Sequence, residues 1–389
     1  MTKKWPLFFS PRPRHRAGWF WLVPRVAKHH LLAARPAPFS PPIPFCSGKS
    51  VGENYCEITP ALTHRFDPIP VAPRRARRLW DRVETISSAP FYQMTLRNAV
   101  VWGTQGWIGT ADGHLLNDIF TEPTDDDWRV QACAAANDTS ATRTLAGTTA
   151  SLAMPNHTNY FHWLWQGVTR ASPLLAHAKQ IDHWIVPPAD RPYVAESLDA
   201  LGVPREKRVH AGAGRIRCEK LLVVSQPPTA SFTAAACWPG DFLRQLFSAP
   251  TTQPHDHLFV VRGRVSARQL LNEDEISAHL AQRGFRTVRM DGLTVREQAA
   301  LFASAKSIVG VHGAALANLV FCRPRTCVIE LLPRNWASPL YARLATSLGL
   351  DYRCLAGCEP AFNAFPIRNL SADLWIDRAE LTSVLDASG

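Results

Sequence analysis

From residue 258 to residue 355 the chain alternates short apolar runs with segments of helical period, and few folds accommodate that pattern. The runs at 258–261, 286–290, 307–311, 328–332 and 352–355 are rich in aliphatic and β-branched residues. Helical patterns at 273–283, 295–305, 314–321 and 340–348 lie between them. Strands separated by single helices pair in parallel, because parallel neighbours need a crossover connection. The segment is therefore expected to form a doubly wound α/β sheet, and such sheets bind ligands beyond the carboxyl ends of their strands.

Upstream, the runs at 96–102 and 107–116 flank Gly103 and Gly106 and predict an antiparallel pair. From Asn159 the pattern again mixes helix and strand: an apolar helix at 160–170, a buried strand at 181–186, a helix at 193–201 ended by Gly202, and a strand at 221–224. The stretch at 247–257 is polar, contains Pro250 and Pro254, and reads as a linker. With 389 residues, 46% of them hydrophobic, the chain can bury two cores. Three parts are expected: a tail at 1–52, an α/β domain at 53–248 and a second α/β domain at 249–389, the last two facing each other across a cleft.

The net charge of +11 is concentrated in the tail. Nine Lys or Arg precede the first acid, Glu53, leaving 34 basic against 32 acidic residues in the rest. A nearly neutral body without an aromatic and basic surface motif argues against nucleic acid as a partner. The tail is proline-rich and is expected to be disordered and solvated, with a peripheral contact to anionic membrane or an organellar transit segment as its functional readings. Its apolar cluster at 19–23 is stopped by Pro24, far short of the roughly 20 residues of a membrane span. Nine scattered cysteines without a C-x-x-C pair suit reduced thiols and a cytoplasmic protein, peripheral at the inner membrane if the tail binds lipid.

Three segments carry chemistry. In Ile308–Phe321 a buried run passes into a helix through Gly310, His312 and Gly313, and then Ala314, Ala315 and Asn318. Small residues there allow close backbone approach to a diphosphate, although a tight turn needs glycines for geometry alone. Arg262, Arg264 and Arg268 stand at the carboxyl end of the first run of the same half, suited to phosphate oxygens. Asn272 suits a helix cap. The third segment is Asn159-Tyr-Phe-His-Trp-Leu-Trp165, where His162 is either a core histidine or a catalyst. Glu330, at the end of its run, could accept from ribose hydroxyls or form a salt bridge.

At these segments the chain resembles glycosyltransferase family 61, over roughly 95–357. The resemblance rests on Asn159 to Trp163, on Arg262 with Arg268, Asn272 and Glu273, on Glu297-Gln298, and on Gly310 to Asn318 followed by Val328 to Glu330. It implies a GT-B-like arrangement of two Rossmann-like domains, a UDP-sugar donor, a glycan or polysaccharide acceptor, and transfer with inversion. The family's members include O-linked N-acetylglucosaminyl- and xylosyltransferases and many bacterial proteins of capsular polysaccharide biosynthesis. It further implies donor binding by Arg262, Arg268, Asn272, Gly310, His312, Gly313, Ala314, Ala315, Asn318 and Glu330, with Asn159, His162 and Trp163 on the acceptor side. The family places an Asp in the helix after His-Trp, where this chain has Gln166, and glutamine cannot act as a general base. His162 is the favoured base and His312 its alternative. An impaired sugar- or nucleotide-binding protein of the same fold is the competing reading. No cofactor is expected and a divalent cation is not essential, since Arg262, Arg268 and the turn at Gly313 can stabilise the leaving diphosphate. The acidic run Asp125–Asp127 is expected to be a solvated loop, and His255-Asp-His257 the end of a linker.

Overall fold

The computed structural model describes residues 44–66, 68, 71–72, 84–120, 142–188, 190–227, 238–247, 256–262, 267–333, 338–358 and 372–387. Residues 1–43 of the expected tail, the acidic run and residues 248–255 of the expected linker lie outside the described residues. Residues 43–389 form one compact unit. Within it the fold begins earlier than residue 53. Phe45–Cys46 pairs in parallel with Leu115–Leu116, and Asp118 accepts from the Gly48 N–H that opens the helical turn Gly48–Val51. Proline and charge density define the tail's composition, and the proline run ends at Pro44.

The first of two large sheets has nine strands. Its principal members are β1 (Phe91–Trp102), β2 (Thr142–Ser151), β3 (His183–Val186), β4 (Arg208–His210) and β5 (Arg215–Val224). The sheet is mixed: β5 runs antiparallel to β1 and parallel to β2, and β2, β3 and β4 are parallel. The expected hairpin is present, with Trp107–Gly109 folding back on β1.

The second sheet contains β6 (Asp256–Val261), β7 (Phe285–Arg289), β8 (Ala305–Val311), β9 (Cys327–Pro333) and β10 (Asp351–Gly357). All pair in parallel in the spatial order β7-β6-β8-β9-β10. The runs are continuously apolar because both faces are covered. Leu258 and Val260 face one core, while Phe259 and Val261 face the other. Val71–Ala72 adds a sixth parallel strand beside β10, so the chain before residue 248 contributes to the second sheet. The order reverses between β6 and β8, and the crevice beyond those strand ends is where sheets of this kind bind ligands.

Among the described residues seven helices frame the sheets: α1 (Ala171–Leu175), α2 (Pro192–Ala200), α3 (Trp238–Phe247), α4 (Glu273–Ala281), α5 (Val295–Ala303), α6 (Leu340–Ser347) and α7 (Arg378–Asp386). None is long and apolar enough to cross a membrane. Two segments expected as α-helix are wound differently. Tyr160–His162 is α-helical but continues as a π-helix over Trp163–Val168, and Ala314–Phe321 is a 3₁₀ helix. One apolar core joins the sheets, bringing Leu152, Trp165 and Leu198 together with Phe302, Leu319 and Tyr341. Glu196 of α2 fixes the same junction by accepting the Val295 and Arg296 N–H groups at the start of α5, at 2.7 and 3.2 Å.

Candidate active site

The switch point places Arg262 directly after β6 and His312 directly after β8. Arg262 Nη1 donates to the His312 carbonyl at 2.9 Å, so the two strand ends are tied by the guanidinium. A Cβ on Gly313 would collide with Arg262 Nη1, which explains the glycine by space; its φ of 174° is ordinary extended backbone. Tyr341 of α6 donates to the Gly313 carbonyl at 2.7 Å and holds the turn from the other side. The N–H groups of Ala314 and Ala315, first in the 3₁₀ helix, have no partner among the described residues.

Arg262 is half-buried, has no carboxylate partner among the described residues, and its buried Nε is unsatisfied there. Burial, reinforced by the charge of Arg268, pushes its pKa down to about 10, which leaves it cationic at neutral pH. Burial also lowers Arg268, which stands at a φ of +54°. Two guanidiniums in mutual repulsion, with the Ala314 and Ala315 N–H groups following the turn that Arg262 holds, are chemically suited to an anion. Arg264 lies outside the described residues.

His312 is 4% exposed, and its Nδ1 is hydrogen-bonded to Glu330, whose other oxygen accepts from Tyr352. Glu330 is fully buried, so the expected ribose contact does not hold: its carboxylate orients His312 from behind. Tyr352 and Tyr341 have pKa values raised by burial first and by the Glu330 charge second.

The first-sheet motif reaches the same place. Tyr160 donates to Asn318 Oδ1 at 2.8 Å, Trp165 Nε1 donates to the Ala317 carbonyl at 3.2 Å, and the Phe161 ring packs edge-on against Tyr341, 5.8 Å between centroids. Tyr341 also packs on the His312 ring at 5.1 Å, so His162 and His312 flank one pair of aromatic rings. His162 is half-buried, and its Nδ1 lies 2.8 Å from Gln166 Oε1. A carbonyl oxygen only accepts, so Nδ1 carries the proton and Nε2 the lone pair. Nε2 has no partner among the described residues and is accessible. Gln166 is thus a buried orienter of His162.

Several expected ligand contacts prove structural. Asn318 accepts from Tyr160 and donates to Gln298 Oε1 and the Ala315 carbonyl, which uses its amide within the fold. Gly310 lets the 3₁₀ helix lie on β8, since a Cβ would stand 2.9 Å from Leu316 Cδ2. Asn272 makes no side-chain cap; it donates to Glu275 and exchanges hydrogen bonds with the backbone of Ile376. Trp163 is completely buried and cannot meet an acceptor. Asn159 caps Tyr160–His162 through the Phe161 N–H at 3.0 Å. Glu297 closes a capping box with Thr294.

Three participants carry no motif signal: Tyr341, Tyr352 and Arg170. Arg170 is fully buried and donates to the carbonyls of Val224, Ala153 and Ser151 at 3.0, 3.2 and 3.2 Å, clasping the carboxyl ends of β5 and β2 just before the Asn159 motif. Among the described residues no group of three or more His, Cys, Asp or Glu is placed to hold a metal. His257 bonds Ser307, and Asp256 bonds Arg286 and Ser304.

Residues 160–329 match the family model described as Glycosyltransferase 61, a span that holds all three motif segments except Asn159 and Glu330. A β-1,2-xylosyltransferase of Oryza sativa subsp. japonica, XAX1, is 34% identical over 98 residues, which are 24% of this chain and 17% of that protein. The xylan glycosyltransferase MUCI21 of Arabidopsis thaliana is 38% identical over 98 residues, 23% of this chain and 19% of the relative. The match thus spans less than a fifth of each relative's length. Both are plant proteins, and neither carries the bacterial capsular role that the resemblance implied. A dodecameric iron-containing heptosyltransferase, TibC, solved in complex with ADP-D-beta-D-heptose, aligns over 88% of this chain and 90% of its own at 10% identity, with a TM-score of 0.30, which says nothing of a shared fold. Over residues 160–329, the chain is thus similar to glycosyltransferase family 61.

Proposed function

We propose that the protein is an inverting glycosyltransferase that moves a sugar from a UDP-activated donor to a hydroxyl of a glycan. The observation that carries this reading is the half-buried Arg262, without a carboxylate partner among the described residues, beside the free N–H groups of Ala314 and Ala315. A diphosphate satisfies those groups; a neutral ligand would leave the charge buried and unpaired. The second sheet holds the donor and the first presents the acceptor, the GT-B-like division, with the reaction between His162 and His312.

In the reaction, His162 Nε2 takes the acceptor hydroxyl proton while Gln166 accepts from Nδ1–H and supports the imidazolium. The acceptor oxygen bonds to the anomeric carbon from the face opposite the diphosphate. The bond from that carbon to the β-phosphate oxygen breaks, and the charge that develops on UDP is met by Arg262, Arg268 and the turn at Gly313. No divalent cation is required. Glu330 and Tyr352 fix the ring of His312 beside the donor.

UDP should raise the melting temperature and NAD should not. His162→Ala should abolish transfer of sugar to an oligosaccharide acceptor while UDP binding survives. Stabilisation by NAD with indifference to UDP, or full turnover by His162→Ala, would refute the donor or the base respectively. UDP binding in a wild-type chain that never turns over would favour the sugar- or nucleotide-binding alternative.

A further inference from the structure

On one face of the first sheet the packed apolar layer stops short. Alternation along β1 turns Phe91, Gln93 and Thr95 to the same face, and Phe91 enters the core that joins the two sheets. The next positions on that face are polar. In register beside them, Leu222 of β5 pairs with Thr95, and Lys220 pairs with Thr148 of β2. The cover given by α1 ends at Leu174, and the chain continues through His177 to Gln180 along the rim. With Asn54 on the opposite side, these residues enclose a groove of about 260 Å³.

Two features set this groove apart from an ordinary solvated sheet face. First, the side chains of Asn54, Gln93, Thr95, His177, Gln180 and Lys220 have no hydrogen-bond partner among the described residues, and none of their polar atoms is sealed from solvent. Second, the sheet beside the lining residues Thr148 and Lys220 carries a fixed irregularity. The β2–β5 register shifts between Cys218 and Lys220, where Gly147 takes a φ of +78°. Glu219 accepts from Gly147 N–H at 2.7 Å and Asp182 from Thr148 N–H at 2.9 Å, which holds the irregularity in place. A bulge of this kind re-aims the side chain that follows it, here Thr148.

The lining chemistry selects the ligand. Three primary amides donate and accept side by side, and threonine hydroxyls do the same, which suits vicinal hydroxyl groups. One lysine is too little for a polyanion, and no carboxylate lines the groove to hold a cation. No lining residue belongs to the candidate active site. We propose that the groove is a second carbohydrate site, which binds a short stretch of neutral polysaccharide apart from the reacting hydroxyl. Its use as an anchor for the acceptor chain rests on the glycosyltransferase reading; the binding itself does not.

The test is calorimetric titration of the full chain with xylohexaose, without nucleotide. Binding should weaken at least about fivefold in Gln93→Leu and in Gln180→Ala, the loss of roughly one hydrogen bond, and should be unchanged in Arg262→Ala. Gln180 is exposed, so its variant carries the test if Gln93→Leu fails to fold. No binding of the hexasaccharide, or binding indifferent to both substitutions, would overturn the proposal. So would a preference for oligogalacturonate that is lost in Lys220→Gln. UDP binding in the same preparations separates the two readings: groove-dependent sugar binding without UDP binding sinks the transferase, and the reverse sinks the groove.

Discussion

Gly313→Ala isolates the geometry of the donor site in one methyl group. At a φ of 174° alanine meets no backbone penalty, so the whole effect comes from the collision of the new Cβ with Arg262 Nη1. The colliding atom is the tip of a flexible side chain, and the guanidinium swings away while the strand and turn stay in place. That breaks the 2.9 Å bond to the His312 carbonyl and withdraws the cation from the phosphate position. A hydrogen bond from a charged group contributes about 1.5–3 kcal/mol, so UDP affinity should fall roughly ten- to 150-fold. Arg262→Ala should cost about as much, and the double variant little more than either, because with Arg262 gone the methyl group meets nothing. The assay is a double-mutant cycle by calorimetry, with thermal melts to show that all three variants fold. Additive losses, or undiminished affinity in Gly313→Ala, would show that Arg262 does not reach the ligand from its place beside Gly313.

Gln166→Leu removes the acceptor of His162 Nδ1–H, so transfer should drop about 10- to 100-fold with UDP affinity unchanged, as measured by steady-state kinetics beside calorimetry. Gln166→Asp in the same assay should not exceed wild type; a large gain would move the base from His162 to the introduced acid. Arg170→Met leaves three strand-end carbonyls unanswered and should destabilise the fold by at least about 3 kcal/mol in urea unfolding. Burial raises the Cys218 thiol to about 11 and Cys322 higher still, so iodoacetamide at pH 8, well below both, should label exposed Cys56 and spare these two in the native protein, read by mass spectrometry.

The second sheet was legible because its signal is local. Each strand is a run buried on both faces, each crossover is one helix, and the parallel pairing follows from the alternation. The first sheet was less so. Its antiparallel half showed in the Gly103–Gly106 hairpin, but β2 has two exposed threonines and an exposed arginine at its start, and it is a strand chiefly because β5 and β3 lie on either side of it. Helix type was also hidden: Ala314–Phe321 is apolar throughout, and packing against β8 through Gly310 accompanies a 3₁₀ winding that periodicity does not report.

The motif residues divide by whether their partners are local. His162 and Gln166 stand four apart on one helical turn, so a contact between them was readable once both were named, although the sequence suggested a missing base where the structure has an orienter. Arg262 and Gly313 stand 51 residues apart, and nothing near either says that one occupies the other's side-chain space. Glu330 looked like a ribose ligand because it ends a strand, yet pairing in the sheet sets it beside Gly310, and His312 and Tyr352 close over its carboxylate. Asn318 stands in the same motif as the proposed ligand groups, yet its amide joins Tyr160 of the first half to Gln298 of the second. A motif in this chain therefore marks residues the site cannot do without, and only the fold separates those that touch the ligand from those that hold the two sheets in place around it.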